Sequence, residues 1–218
     1  MEDQAAILSA KDAFRHAKVE HYLRRAEECV QMRRYGPALK TLDIVLELDP
    51  RNEQGIALKQ SVEERVDFLH HRSNGGSAPR EPAAEHVRKR DELVLVVDQE
   101  ERILCHLSET LARYGYEVVC AGGYDEAMET LAALKPDVIV SEVNFESGPQ
   151  GFDLFLWVKT QSAFAAVPFI FFAARIDREM LVAGKRFGVD DFIQKPADAD
   201  IVTASIANSL NHRRKTAN

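Results

Sequence analysis

From residue 93 onward, short apolar runs alternate with stretches whose apolar residues recur every three or four positions. LVLVV (93–97), YEVVC (116–120), DVIVS (137–141), PFIFF (168–172) and DFIQ (191–194) predict five strands. The segments between and after them predict helices at about 100–113, 124–134, 151–162, 176–187 and 199–213. Strands that are apolar at nearly every position suit a parallel sheet covered on both faces, and strand–helix alternation gives a doubly wound α/β fold. In such folds the working site lies outside the carboxyl ends of the strands. That rule points to Asp98, Gln99, Glu142, Ala173 and Lys195.

The first third of the chain has a different rhythm. Tyr22, Ala26 and Cys29 recur at helical spacing, Tyr35-Gly36-Pro37 interrupts them, and Ala38, Leu42 and Val45 resume before Asp49-Pro50 stops the run. This predicts a helical hairpin in which small residues such as Ala26 and Ala38 allow close approach. A third helix is expected after Asn52, a suitable N-cap, carrying Ile56, Val62, Val66 and Leu69 inward. Adjacent His70 and His71 cannot face one metal and are expected in solvent. SNGGSAPREPAAEHVRKR (73–90) has neither period and predicts a flexible linker. The expected organisation is therefore a small all-α domain over 1–72, the linker over 73–90 and an α/β domain over 91–218.

Composition narrows the function classes. With 45% hydrophobic and 29% charged residues the chain reads as globular. A formal charge of -7 opposes broad attraction to nucleic acid or anionic membrane. The start carries acids where a secretory leader would carry bases, and no apolar run approaches the roughly 20 residues a membrane span needs, so a cytoplasmic location is expected. Cys29, Cys105 and Cys120 are too widely spaced for a zinc motif and are expected as reduced structural residues.

Two resemblances follow from quoted segments. RRAEECVQMRRYGPALKTLDIVLELDPRN resembles one tetratricopeptide repeat in its small residues, Tyr35, Ala38 and Pro50, although Tyr22, Arg25 and Ala26 stand where that pattern has Trp, Leu and Gly. A single repeat buries little surface, so these helices are expected to pair with another copy, the other domain or a partner. VLVVDQEERI, PDVIVSEVNF, FIFFAARID and DDFIQKPAD, in that order, resemble the landmark motifs of bacterial response-regulator receiver domains over about 91–213. The resemblance implies a flavodoxin-like sheet with strand order 2-1-3-4-5. It also implies a phosphoacceptor aspartate after the third strand, Mg²⁺ held by acids after the first, a lysine after the fifth, and a switch aromatic three residues earlier.

Residue by residue, Glu142 matches the acceptor, Asp98 the first metal acid, Gln99 the second, Lys195 the lysine and Phe192 the switch aromatic. Ala173 stands where the family has Ser or Thr. Glutamate carries its carboxylate one methylene farther out, and a misplacement of that size costs about 10²-fold in rate. Gln99 removes a formal charge from the Mg²⁺ position, leaving Asp98 as a weak ligand at most. Ala173 cannot make the hydroxyl contact that pulls the next loop inward. Glu142 is expected to pair with Lys195 in place of the phosphorylated charge, with Phe192 resting inward.

The expectation is a degenerate receiver, not an enzyme and without a required cofactor. It would act as a phosphorylation-independent adaptor on protein partners, such as a histidine kinase or signalling complex, or as a homodimer. Arg175, Arg178, Lys185, Arg186 and Phe187 are candidates for its docking face. The main alternative is a conventional receiver with weak phosphoacceptor activity. A flavin site is disfavoured because DQEER after the first strand lacks the Gly, Ser and Thr of a phosphate cradle. Ser141 has no histidine–acid pair to activate it. DNA binding would rest on Arg88, Lys89 and Arg90 alone, a run too short to carry it.

Overall fold

The computed structural model describes residues 2–73 and 92–216. Residues 74–90 of the expected linker, with Arg88, Lys89 and Arg90, lie outside the described residues. The chain divides into two compact units, Met1–Asp67 and Phe68–Asn218.

In the first unit, helix α1 (Glu2–Gln31) and helix α2 (Tyr35–Leu48) form the hairpin, and helix α3 (Glu53–Ser73) follows, its residues from Phe68 onward being counted with the second unit. The break falls at residues 32–34, ahead of the expected Tyr35-Gly36-Pro37. Arg33 takes a left-handed φ of 56°, and the Arg34 N–H bonds back to the Cys29 carbonyl at 2.9 Å, closing α1. Pro37 then sits in the first turn of α2, where a missing N–H loses nothing. Ala26 and Ala38 are fully buried, and Val19, Leu23 and Val45 form the core between the helices. Asn52 caps α3, its Oδ1 accepting from the Gly55 N–H at 2.8 Å.

One inward residue differs from expectation. Ile56 is 44% exposed while Val62 and Leu69 are buried. Gly55 takes the inner place, because a Cβ there would stand 2.9 Å from Val45 Cγ1. The side chains of Val45, Asn52 and Leu46 already fill the space that a side chain would need at that point of the face. His70 and His71 are both exposed.

The second unit is a five-stranded sheet: β1 (Leu93–Val97), β2 (Glu117–Ala121), β3 (Val138–Ser141), β4 (Phe169–Ala173) and β5 (Asp191–Gln194). All neighbours are parallel and the order is β2-β1-β3-β4-β5. The helices are α4 (Glu101–Arg113), α5 (Tyr124–Ala133), α6 (Gly151–Thr160), α7 (Arg178–Phe187) and α8 (Ala199–Thr216).

Alternation along each strand explains the unbroken apolar runs, since successive side chains feed opposite faces. Val94, Val96, Val138, Val140, Ile170, Phe172 and Ile193 pack with Leu104, Leu107 and Leu111 of α4 and with Val202, Ile206 and Leu210 of α8. On the alternate strand positions Phe169 and Phe171 meet Phe155 of α6 with ring centroids 5.3 and 6.0 Å away. α8 is fastened near both ends. Tyr114 OH donates to Asp200, Arg213 Nη1 donates to the Asp137 carbonyl at 3.0 Å, and Arg214 Nη2 pairs with Glu92 at 2.5 Å. Asp137 Oδ2 also accepts the Leu93 N–H at 2.9 Å, joining the starts of β1 and β3.

Candidate functional site

Strand β1 has β2 on one side and β3 on the other, so chain order reverses there and a crevice opens at the carboxyl ends. Register does the rest. Val97 is paired with Ser141, so the next residues, Asp98 and Glu142, stand side by side. The Glu142 N–H bonds to the Val97 carbonyl at 2.9 Å, and the Lys195 N–H to the Ala173 carbonyl at 2.8 Å. These backbone bonds deliver two acids and one base to a single point.

Lys195 Nζ donates to Asp98 Oδ2 at 2.5 Å and to Glu142 Oε2 at 2.7 Å. All three are nearly enclosed: Asp98 is 2% and Glu142 8% exposed, and the Lys195 side chain 9%. The other carboxylate oxygens are also used. Asp98 Oδ1 accepts the Glu100 N–H at 2.9 Å, and Glu142 Oε1 accepts the amides of Val143 and Asn144 at 2.7 and 3.2 Å. The extra methylene of glutamate thus lets its carboxylate fold back over its own following amides while still reaching Lys195.

The loop after Glu142 is tied at four successive donors. Beyond Val143 and Asn144, the Phe145 N–H goes to Gln150 Oε1 at 2.8 Å and the Glu146 N–H to Gln99 Oε1 at 2.5 Å. Gln99 therefore joins the site through this loop. Gln150 is a site residue that sequence reasoning missed, because Gln is not a favoured N-cap and its only signal is its place before Gly151 and three residues from Asp153, whose Oδ2 accepts its N–H at 2.7 Å. Gly151 itself is required by space, since a Cβ there would fall on the Glu142 carbonyl.

Ala173 is fully buried and contributes a methyl group and a backbone acceptor. Phe192, on β5, is half-buried and stacked on Phe171 at 5.4 Å and 29°. Ser141 is fully buried with its hydroxyl on the Glu142 carbonyl at 2.8 Å, a core serine. Arg175, Arg178, Lys185, Arg186 and Phe187 are exposed, Phe187 by 58%.

Burial alone would lower the Lys195 pKa, but its hydrogen bonds and attraction to Asp98 and Glu142 outweigh this and hold it above the ordinary 10.5. Burial pushes Asp98 above its ordinary 3.8, against the lowering effect of the Lys195 hydrogen bond. The signs differ in consequence. A raised lysine contributes stability that is complete below the unfolded pKa and lost as pH rises through the folded value. A raised aspartate weakens the fold when ionised, and that effect is relieved as pH falls through its folded value. Thermal unfolding of the full chain between about pH 8 and 11.5 should therefore show an alkaline loss beginning near the lysine range. The loss should be smaller in Lys195→Met; an identical alkaline limb in that variant would refute the assignment.

Asp98 and Glu142 are hard oxygen donors of the kind Mg²⁺ takes. No group of three or more His, Cys, Asp or Glu converges on a metal position among the described residues. No helix among the described residues is long and apolar enough to cross a membrane.

Residues 94–207 match the response regulator receiver domain family. Among curated relatives, the uncharacterized transcriptional regulatory protein YvcP of Bacillus subtilis is 33% identical over 117 residues, covering 54% of this chain and 48% of the relative. The sensory transduction protein BceR of Halalkalibacterium halodurans is 26% identical over 113 residues, covering 52% of this chain and 47% of the relative. The chain thus spans about half the length of the curated relatives it matches. Of solved structures, the chemotaxis protein CheY4 of Vibrio cholerae superposes with a TM-score of 0.52 at 28% identity, over 54% of this chain and 98% of that one. The signal receiver domain of a signal transduction histidine kinase from Syntrophus aciditrophicus gives 0.51 at 26% identity, over 56% and 91%. Sheet order, crevice and family match agree, and the chain belongs to the response regulator receiver domain family.

Proposed function

We propose that the chain is an atypical response regulator whose receiver unit serves as a phosphorylation-independent protein–protein interaction module, an adaptor in bacterial signal transduction. The observation that carries this reading is the Glu142 carboxylate, which already bridges Lys195 and the Val143 and Asn144 amides. A carboxylate engaged on both oxygens and extended by a methylene is poorly placed to attack phosphorus. Gln99, which spends its carbonyl on the Glu146 amide, supplies no charge to a cation, so Mg²⁺ binding through Asp98 is weak. Ala173 has no hydroxyl with which to draw a loop inward.

On this reading the protein is not an enzyme and acts in the cytoplasm, where it meets proteins such as a histidine kinase or its complex, or a second copy of itself. The tetratricopeptide-like hairpin supplies a second binding surface. Protein partners in place of nucleic acid fit the formal charge of -7. A conventional receiver with weak acceptor activity is the second reading. It is favoured by the retained Asp98–Lys195 pair and by the relatives named as transcriptional regulators.

Incubation with acetyl phosphate and Mg²⁺, followed by intact-mass measurement, separates the two. The wild-type chain should gain no phosphoryl group, while Glu142→Asp with Gln99→Asp should gain one in a Mg²⁺-dependent manner. A stable gain in the wild type that disappears in Glu142→Ala overturns the proposal.

A further inference from the structure

Helix α7 has one buried residue, and it is a glycine, Gly184. Glycine inside a helix lowers stability relative to alanine and needs a reason. Backbone conformation is not the reason, since Gly184 is not among the positive-φ glycines. Space is. A Cβ at Gly184 would overlap the tip of the Phe192 ring and stand 3.2 Å from Val189 Cγ2. The same ring stacks on Phe171. Phe192 is therefore seated between a bare stretch of helix backbone and a neighbouring strand's ring, in a slot that exists only because residue 184 has no side chain.

This slot is built without the charged crevice: Gly184 and Phe171 border it, and neither bonds to Asp98, Glu142 or Lys195. Phe171 is stacked in turn on Phe152 at 6.1 Å and 13°, and Phe152 meets the exposed Phe187 edge-on at 5.7 Å. The rings form a continuous row from β5 to the end of α7.

We propose that Gly184 fixes Phe192 in this half-buried seat against Phe171 by packing alone, so that the β5–α7 face keeps one shape whatever the charge state of the crevice. The inference goes beyond the adaptor reading and stands apart from it, because it concerns what the crevice can transmit and not whether Glu142 takes a phosphoryl group.

Full-length protein labelled with fluorophenylalanine tests it by ¹⁹F NMR, the Phe192 signal being identified by its loss in Phe192→Leu. Emptying the crevice with Glu142→Ala should leave that signal in place, whereas Gly184→Ala should shift or split it. Thermal unfolding gives a second reading. Gly184→Ala should lower Tm in the wild-type background, where the methyl displaces the ring, and raise it in a Phe192→Ala background, where only helix propensity remains. A Phe192 signal that moves in Glu142→Ala overturns the proposal, and so does a Gly184→Ala substitution that raises Tm in both backgrounds. Either result is distinguishable from failure of the adaptor reading, which is decided by mass.

Discussion

Lys195→Met should lower the unfolding free energy by about 3–5 kcal/mol, the usual loss when one partner of a buried ion pair is removed. The reason lies in what remains. Asp98 and Glu142, 2% and 8% exposed, would keep two carboxylates in one crevice with no cation between them. Urea unfolding at neutral pH measures the loss. Because the penalty comes from stranded charge, Asp98→Asn with Glu142→Gln in the Lys195→Met background should recover most of it. A loss below about 1 kcal/mol, in the range of exposed pairs, would mean that water reaches the acids and that the crevice is not the enclosed site described above.

Phe155→Ala should have a comparable effect, about 3–5 kcal/mol, for a different reason. Phe155 is fully buried and touches Phe152, Phe169 and Phe171 with ring centroids 5.3–6.0 Å apart. Its removal leaves a void under the rings that seat Phe192, and neighbouring strands cannot close on it without breaking the sheet register. Unfolding midpoint and slope together give the measurement. A loss under about 1.5 kcal/mol, of the size seen for volume-conserving swaps, would indicate that the ring row repacks freely.

Much of the α/β unit was legible because its signals are local. Strands with apolar side chains on both faces leave near-continuous runs, and the five runs give five parallel strands in the expected order. Edges moved by one to three residues: β4 begins at Phe169 and takes in Ala173, one residue on, and α7 begins at Arg178, two residues on, because Asp177 caps it, accepting the Met180 N–H at 2.8 Å. The phase of α3 was misjudged at Ile56, since apolar counting cannot see that the Val45 side chain fills the inner place and leaves room there only for Gly55.

The site was legible in membership and only partly in wiring. Motif order placed Asp98, Glu142 and Lys195 at strand ends, and the pairing of Glu142 with Lys195 follows from charge. That Lys195 also holds Asp98, that Glu142 turns onto the next two amides, and that Gln99 and Gln150 tie the loop are distance facts with no one-dimensional trace. Gly184 was invisible for the same reason, since its partner in space is eight residues on, across a turn.

The ion pair between Arg214 and Glu92 carries a consequence for architecture. It joins the residue just before the first strand to the last turn of the final described helix, so the start of β1 and the end of α8 lie at neighbouring points. A sheet and its helices whose first strand and last helix are joined in this way can be opened at a surface loop and reconnected between those two points with little disturbance to the interior.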